Sequence, residues 1–149
     1  MKITTKGRYA LRIMVDLARH QTGNFIPLKE ASERQGISEK YAEMIISLLN
    51  KAGFVISSRG KGGGYQLAKP AERVTVGSVL KATEGSLAPV ICLELPENAC
   101  PHAGYCETLP MWTELDRRID EYLESITLSD LLRQTEAASN SSCIGSHKL

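Results

Sequence analysis

The chain has 149 residues, 42% of them hydrophobic and 5% aromatic, with 18 Lys and Arg against 17 Asp and Glu for a formal charge of +1. That near-neutral total hides a division: residues 1–75 hold 13 basic against 6 acidic side chains, residues 76–149 hold 5 against 11. The length suits one domain with an appendage, and no apolar run approaches the roughly 18 residues of a bilayer crossing, which argues against a membrane protein.

The first twelve residues, MKITTKGRYALR, lack the apolar core and cleavage site of a secretory signal, so the expected compartment is the cytoplasm. Tyr9, Ala10, Ile13, Met14, Leu17 and Ala18 then follow the spacing of an amphipathic helix, with Thr4 or Thr5 available as N-cap. LKEASERQG reads as a short helix ending at Gly36. SEKYAEMIISLLNKAG reads as another, capped by Ser38 and turning Tyr41, Ile45, Leu48 and Leu49 to the core. A tight connection between two short helices, after a longer one, is a helix-turn-helix. Strand-like stretches at 54–57 and 65–68, joined by glycines, predict a β-hairpin and hence a winged helix. The glycines do not make a nucleotide loop: no GxxxxGK is followed by Ser or Thr, and Tyr65 occupies the last position of GxGxxG. They fit a wing tip, where Arg59 and Lys61 supply charge and Gly63 lets backbone approach a phosphate or groove. A basic half with a reading helix is what phosphate charge attracts.

A fourth helix is expected over 76–83, capped by Thr75. Next comes a proline-punctuated loop carrying Cys92, Cys100 and Cys106, with seven residues between the first two and five between the next two. In a reducing compartment such thiols serve a metal, catalysis or redox sensing more often than a disulfide framework. There is no CxxC pair of the structural-zinc kind, and the long intervals leave room for a polynuclear cluster. Three thiolates leave one ligand open: His102, Glu94, Glu97, Glu107 or a group from a second copy are the candidates. From residue 111, Trp112, Leu115, Ile119, Tyr122 and Ile126 are separated by 3, 4, 3 and 4 residues, the spacing of a coiled-coil seam, and a dimer interface is the favoured reading. Residues 134–149, with Cys143 and His147, are small and polar and expected to lack regular structure. The fold class that results is mainly α with a small β-wing: a winged helix over 1–75, a linker helix and cysteine-rich loop over 76–110, a long dimerisation helix over 111–133, and a tail.

Several stretches, namely MKITTKGRYALRIMVDLA, ISEKYAEMIISLLNKAGFVISSRGKGGGYQLAK, the three-cysteine loop and DRRIDEYLESITLSDLL, resemble the Rrf-type bacterial transcription regulators, the group containing the IscR, NsrR and CymR proteins. The likeness runs over residues 1–133. It implies a homodimeric winged-helix regulator with helix 38–52 in the major groove of a near-palindromic operator and the wing in the minor groove. Ser38, Lys40, Tyr41, Glu43 and Met44 match the reading helix, Arg59 the wing arginine, and Lys61, Gly63 and Tyr65 complete the expected DNA contacts. Lys40 can reach guanine edges or phosphate, and Glu43 can accept from a cytosine amine. Cys92, Cys100 and Cys106 match the ligands of an iron–sulfur cluster, for which 2Fe–2S is favoured over 4Fe–4S. Two positions depart from the group: Leu109 stands where a histidine ligand is usual, and Arg8 where the nitric-oxide sensors have an acidic residue. The implied function is control of DNA binding by the cluster, governing cluster assembly or related iron and redox genes. The alternative is a thiol-redox or nitric-oxide responsive repressor of the same fold. No nucleophile–base set points to an enzyme.

Overall fold

In the computed structural model, which describes residues 3–96 and 100–141, the first apolar stripe forms α1 (Thr5–Arg19), burying Ala10, Ile13, Met14 and Leu17. Helix α2 (Leu28–Gln35) stops where Gly36 enters the left-handed region at φ 66°, and α3 (Glu39–Lys51) starts where the Ser38 hydroxyl accepts the Tyr41 N–H at 3.1 Å. The buried stripe of α3 is Ala42, Ile45, Ile46 and Leu49. Tyr41 and Leu48, expected in the core, are only half-buried, because the stripe lies one residue further round the helix.

Strands β1 (Val55–Ser58) and β2 (Gly64–Leu67) pair antiparallel, Val55 opposite Leu67 and Ser58 opposite Gly64, each displaced by one residue from the expected span. Ile26 and Tyr65 exchange backbone hydrogen bonds of 2.9 and 2.8 Å, which anchor the wing to the segment before α2. Gly64 makes this approach possible: its φ is +148°, and a Cβ there would stand 2.2 Å from the Ile26 carbonyl oxygen.

Helix α4 (Val76–Glu84) is capped as expected, the Thr75 hydroxyl accepting the Ser78 N–H at 3.0 Å. The described residues of the cysteine segment are irregular apart from a short 3-10 turn at Ile91–Leu93. Helix α5 (Leu109–Ser125) begins earlier than expected and takes in Pro110, which sits in the first turn, where no N–H is needed. The predicted helix over 111–133 is in fact two. Ile126 is extended, Thr127 bridges to Thr75, and α6 (Leu128–Ser141) follows. Residues 134–141 continue α6 rather than forming an irregular tail, since Gln134, Glu136, Ala137 and Ala138 are good helix formers. Cys143 and His147 lie outside the described residues.

The core joins α1, α3, β1, β2 and α4 through Ala10, Ile13, Met14, Ile45, Leu49, Val55 and Val79, and it takes in Leu128 from the start of α6. Leu128 is 0% exposed, a burial worth about 2–3 kcal/mol, so the C-terminal helices are seated in the core of the helix-turn-helix. A smaller cluster of Val76, Leu80 and Leu87 receives Leu123 and Ile126. Among the described residues, no helix is long and apolar enough to cross a membrane.

Candidate nucleic-acid interface and thiol cavity

The first turns of α3 present Ser38, Lys40, Glu43 and Met44 to solvent, and the wing tip presents Arg59 and Lys61. Neither Lys40, Arg59 nor Lys61 pairs with a carboxylate among the described residues, which leaves three cations free to meet phosphate. The other three expected DNA residues are half-buried and have structural tasks. Tyr41 sets its ring edge-on to Tyr9, centroids 6.0 Å apart at 87°, and the Arg12 guanidinium lies 4.9 Å from the centre of the Tyr9 ring. Such a stack contributes about 1 kcal/mol beyond burial and ties α1 to α3. Gly63 closes the wing turn, its N–H donating to the Gly60 carbonyl at 3.0 Å, and a Cβ there would clash with the Ser58 carbonyl oxygen at 2.5 Å. Tyr65 is the residue that pairs with Ile26.

The angle between α1 and the helix-turn-helix is fixed by a pair that the sequence reading missed. Asp16, on the otherwise apolar face of α1, is buried and held by Arg34 of α2, with Gln35 donating to it at 3.1 Å. A lone aspartate between Met14 and Leu17 was the available signal, because a carboxylate is buried only when paired.

Cys92, Cys100 and Cys106 line a single cavity of about 430 Å³, with Leu93, Leu109 and Thr113 among its walls. All three are free thiols and half-buried. The Cys106 thiol is held below the ordinary thiol range, first by its hydrogen bond with the Thr108 hydroxyl at 3.4 Å, then by the backbone N–H groups of Thr108 and Leu109 at the start of α5. Of the candidate fourth ligands, Glu94 and Glu107 are exposed and do not line the cavity, and Glu97 lies outside the described residues. His102 turns its Nδ1 to the Tyr105 hydroxyl at 2.6 Å rather than into the cavity. Leu109 lines the cavity but offers no donor. Among the described residues no three Cys, His, Asp or Glu side chains meet closely enough to hold one metal ion. The thiols instead surround a space many times the ~30 Å³ share of a water molecule. Soft sulfur donors around an apolar space of that size fit a polynuclear cluster better than a single ion.

Helix α5 buries none of its residues. Along the expected seam Leu115 is 40% and Tyr122 66% exposed, with Trp112 and Ile119 half-buried. Ile126 departs from that seam, because the chain is extended there and turns the side chain onto its own small cluster.

A two-stranded wing behind a helix-turn-helix with an exposed second helix defines a winged-helix protein, an architecture suited to binding DNA. Residues 3–134 match the family model described as "Rrf2: Iron-dependent Transcriptional regulator". The chain is 42% identical over 136 residues to the HTH-type transcriptional regulator IscR of Vibrio campbellii, covering 91% of this chain and 80% of that one. It is 41% identical over 144 residues to Protein rrf2 of Nitratidesulfovibrio vulgaris, covering 96% and 95%. The solved structure of T. potens IscR superimposes with a TM-score of 0.74 at 35% identity, covering 99% of this chain and 94% of that one. The chain belongs to the Rrf2 family of transcriptional regulators.

Proposed function

We propose that this chain is a cytoplasmic, homodimeric DNA-binding regulator whose operator affinity is set by an iron–sulfur cluster held by Cys92, Cys100 and Cys106, and that it governs cluster-assembly or related iron and redox genes. The observation that carries the reading is the convergence of three half-buried thiols on one apolar cavity, between the end of α4 and the start of α5. The description of the family as iron-dependent supports it. When bound, the cluster would supply a centre sensitive to iron supply and to oxidants. The remaining tasks belong to this chain's own side chains. Lys40 and Glu43 read base edges in the major groove. Arg59 enters the narrow minor groove and Lys61 neutralises phosphate. Leu115, Ile119, Tyr122 and Trp112 on α5 pair two copies, so that two reading helices address half-sites on the order of 34 Å apart.

The test is made on protein purified anaerobically: iron and acid-labile sulfide counted per chain, mass by light scattering, and selection of bound duplexes from a randomised library. Stoichiometric sulfide, a dimer and a near-palindromic selected site are expected. Colourless protein after reconstitution overturns the cluster, and an unenriched library overturns the DNA reading. A thiol-redox switch is the second reading, favoured by three thiols sharing one cavity; a peroxide-dependent thiol count without a chromophore would establish it.

A further inference from the structure

Two glutamates reach the first turns of other helices at places where glycine leaves room for them. Glu84, the last residue of α4, reaches back to the start of α1. Its Oε1 accepts from the Thr4 N–H at 2.8 Å, the Thr4 hydroxyl at 2.6 Å and the Gly7 N–H at 3.1 Å. Thr4 makes no side-chain cap of its own, so Glu84 supplies the acceptor that the first turn of α1 lacks. A Cβ on Gly7 would lie 2.3 Å from that oxygen. Glu124, near the end of α5, meets α4 in a related way, through the N-cap side chain rather than backbone N–H groups. Its Oε2 accepts from the Thr75 hydroxyl at 2.6 Å and its Oε1 from the Lys81 ammonium at 2.9 Å. A Cβ on Gly77 would lie 2.6 Å from that Oε1.

The contacts form a series. Helix α5 holds α4 through Glu124, α4 holds α1 through Glu84, and α1 holds the start of α3 through the Tyr9–Tyr41 ring contact, while the middle of α3 also packs directly on α4 in the core. The cysteine segment follows α4 in the chain and ends where α5 starts, and α5 lines the cavity through Leu109 and Thr113, so the series is entered from the cavity at α5. We propose that Glu84 is a positioning residue for DNA reading: it fastens α1, and through Tyr9 and Tyr41 the reading helix, to α4, so that the state of the cysteine cavity sets the pose of α3. The proposal takes its meaning from the regulator reading above, but its test reads neither DNA nor metal.

The measurement is amide hydrogen exchange on the full chain, with the thiols free and after alkylation by iodoacetamide. In the wild-type chain, alkylation changes exchange severalfold at residues 4–8 and 38–44 as well as locally at 107–113. Glu84→Ala and Gly7→Ala each cut the response at 38–44 by at least half, the remainder passing through the direct α3–α4 packing, and leave the local response intact. The double variant is no worse than either single one, because both evict the same carboxylate. Glu84→Gln keeps an acceptor oxygen and restores most of the response. Thr4→Val removes one of the three contacts and gives a partial loss even if the harsher variants unfold, which near-ultraviolet dichroism of Trp112 would show. A wild-type chain silent at 38–44, or an undiminished response in Glu84→Ala or Thr4→Val, overturns the proposal. Failure of the regulator reading would appear separately, as an unenriched duplex library with the exchange response intact.

Discussion

Arg34 grips Asp16 across the α1–α2 junction with two parallel hydrogen bonds, Nε to Oδ1 at 2.9 Å and Nη2 to Oδ2 at 2.8 Å, while Asp16 itself is only 3% exposed. Removing the arginine strands a buried carboxylate that Gln35 and the half-exposed His20, 3.7 Å away, cannot satisfy. Arg34→Ala is expected to cost about 2–4 kcal/mol in urea unfolding, the lower part of the range reflecting the partly exposed guanidinium. Asp16→Asn should cost less, since its amide oxygen still accepts from Arg34. Equal losses would mean that the stranded charge is not the cause.

Arg59 stands exposed at the wing tip without an acidic partner among the described residues. Arg59→Ala should therefore leave the unfolding midpoint unchanged and weaken binding to the selected duplex by about tenfold, a loss in the ~1–3 kcal/mol range of a specific contact. Fluorescence anisotropy over a salt series checks it. Unchanged affinity at matched salt would remove the wing from recognition.

Leu109 occupies the wall of the thiol cavity without a donor atom. Leu109→His places an imidazole there, and the variant should retain iron and sulfide longer in air than the wild-type chain, with altered charge-transfer bands. Cys100→Ala should lose both while its far-ultraviolet dichroism stays the same. Iron retained by Cys100→Ala at full stoichiometry would show that the ligands lie elsewhere.

Acid should loosen the C-terminal helices before neutral pH does anything to them. Hydrogen bonds from Arg117 and then Arg118 bring the Glu114 carboxyl from 4.5 down to about 2, and Glu124 is lowered by Thr75 and then Lys81. Carboxyls that hold protons less tightly when folded contribute stability that is complete above the unfolded value and is lost as pH falls through the folded one. The urea midpoint should be flat from about pH 7 to 5 and fall between about 4.5 and 2. The amplitude should be small, because the Glu114 ion pairs face solvent. Glu114→Gln should flatten part of that fall.

Much of the reading head was legible because local chemistry decides it. The stripe of α1, the caps at Ser38 and Thr75, the stop at Gly36 and the glycine-rich wing all act within a few residues of themselves. What the sequence hid depends on distant partners. Ile126 fits the heptad spacing, yet Thr127 pairs with Thr75 across the fold and the helix ends there. Pro110 reads as a breaker until the start of α5 is known to fall just before it. The polar composition of 134–141 concealed a continuing helix. Glu84 and Glu124 look like ordinary solvated charges until the glycines they approach, dozens of positions away, are set beside them. The cysteines were visible as a trio, but their shared cavity, and the exclusion of His102 from it, come only from the folding of the loop.

The bridge between Thr75 and Thr127 is small, the Val76 N–H donating to the Ile126 carbonyl at 2.8 Å and the Leu128 N–H to the Val74 carbonyl at 2.9 Å. Its effect on the chain is topological. The chain from Thr75 to Thr127, comprising α4, the thiol segment and α5, becomes one loop closed at its base, with α4 itself packed in the core through Val79. A loop closed at its base behaves as a handle rather than a tail: a change at its tip is delivered to the body of the molecule through the two helices at its root, α4 and α5.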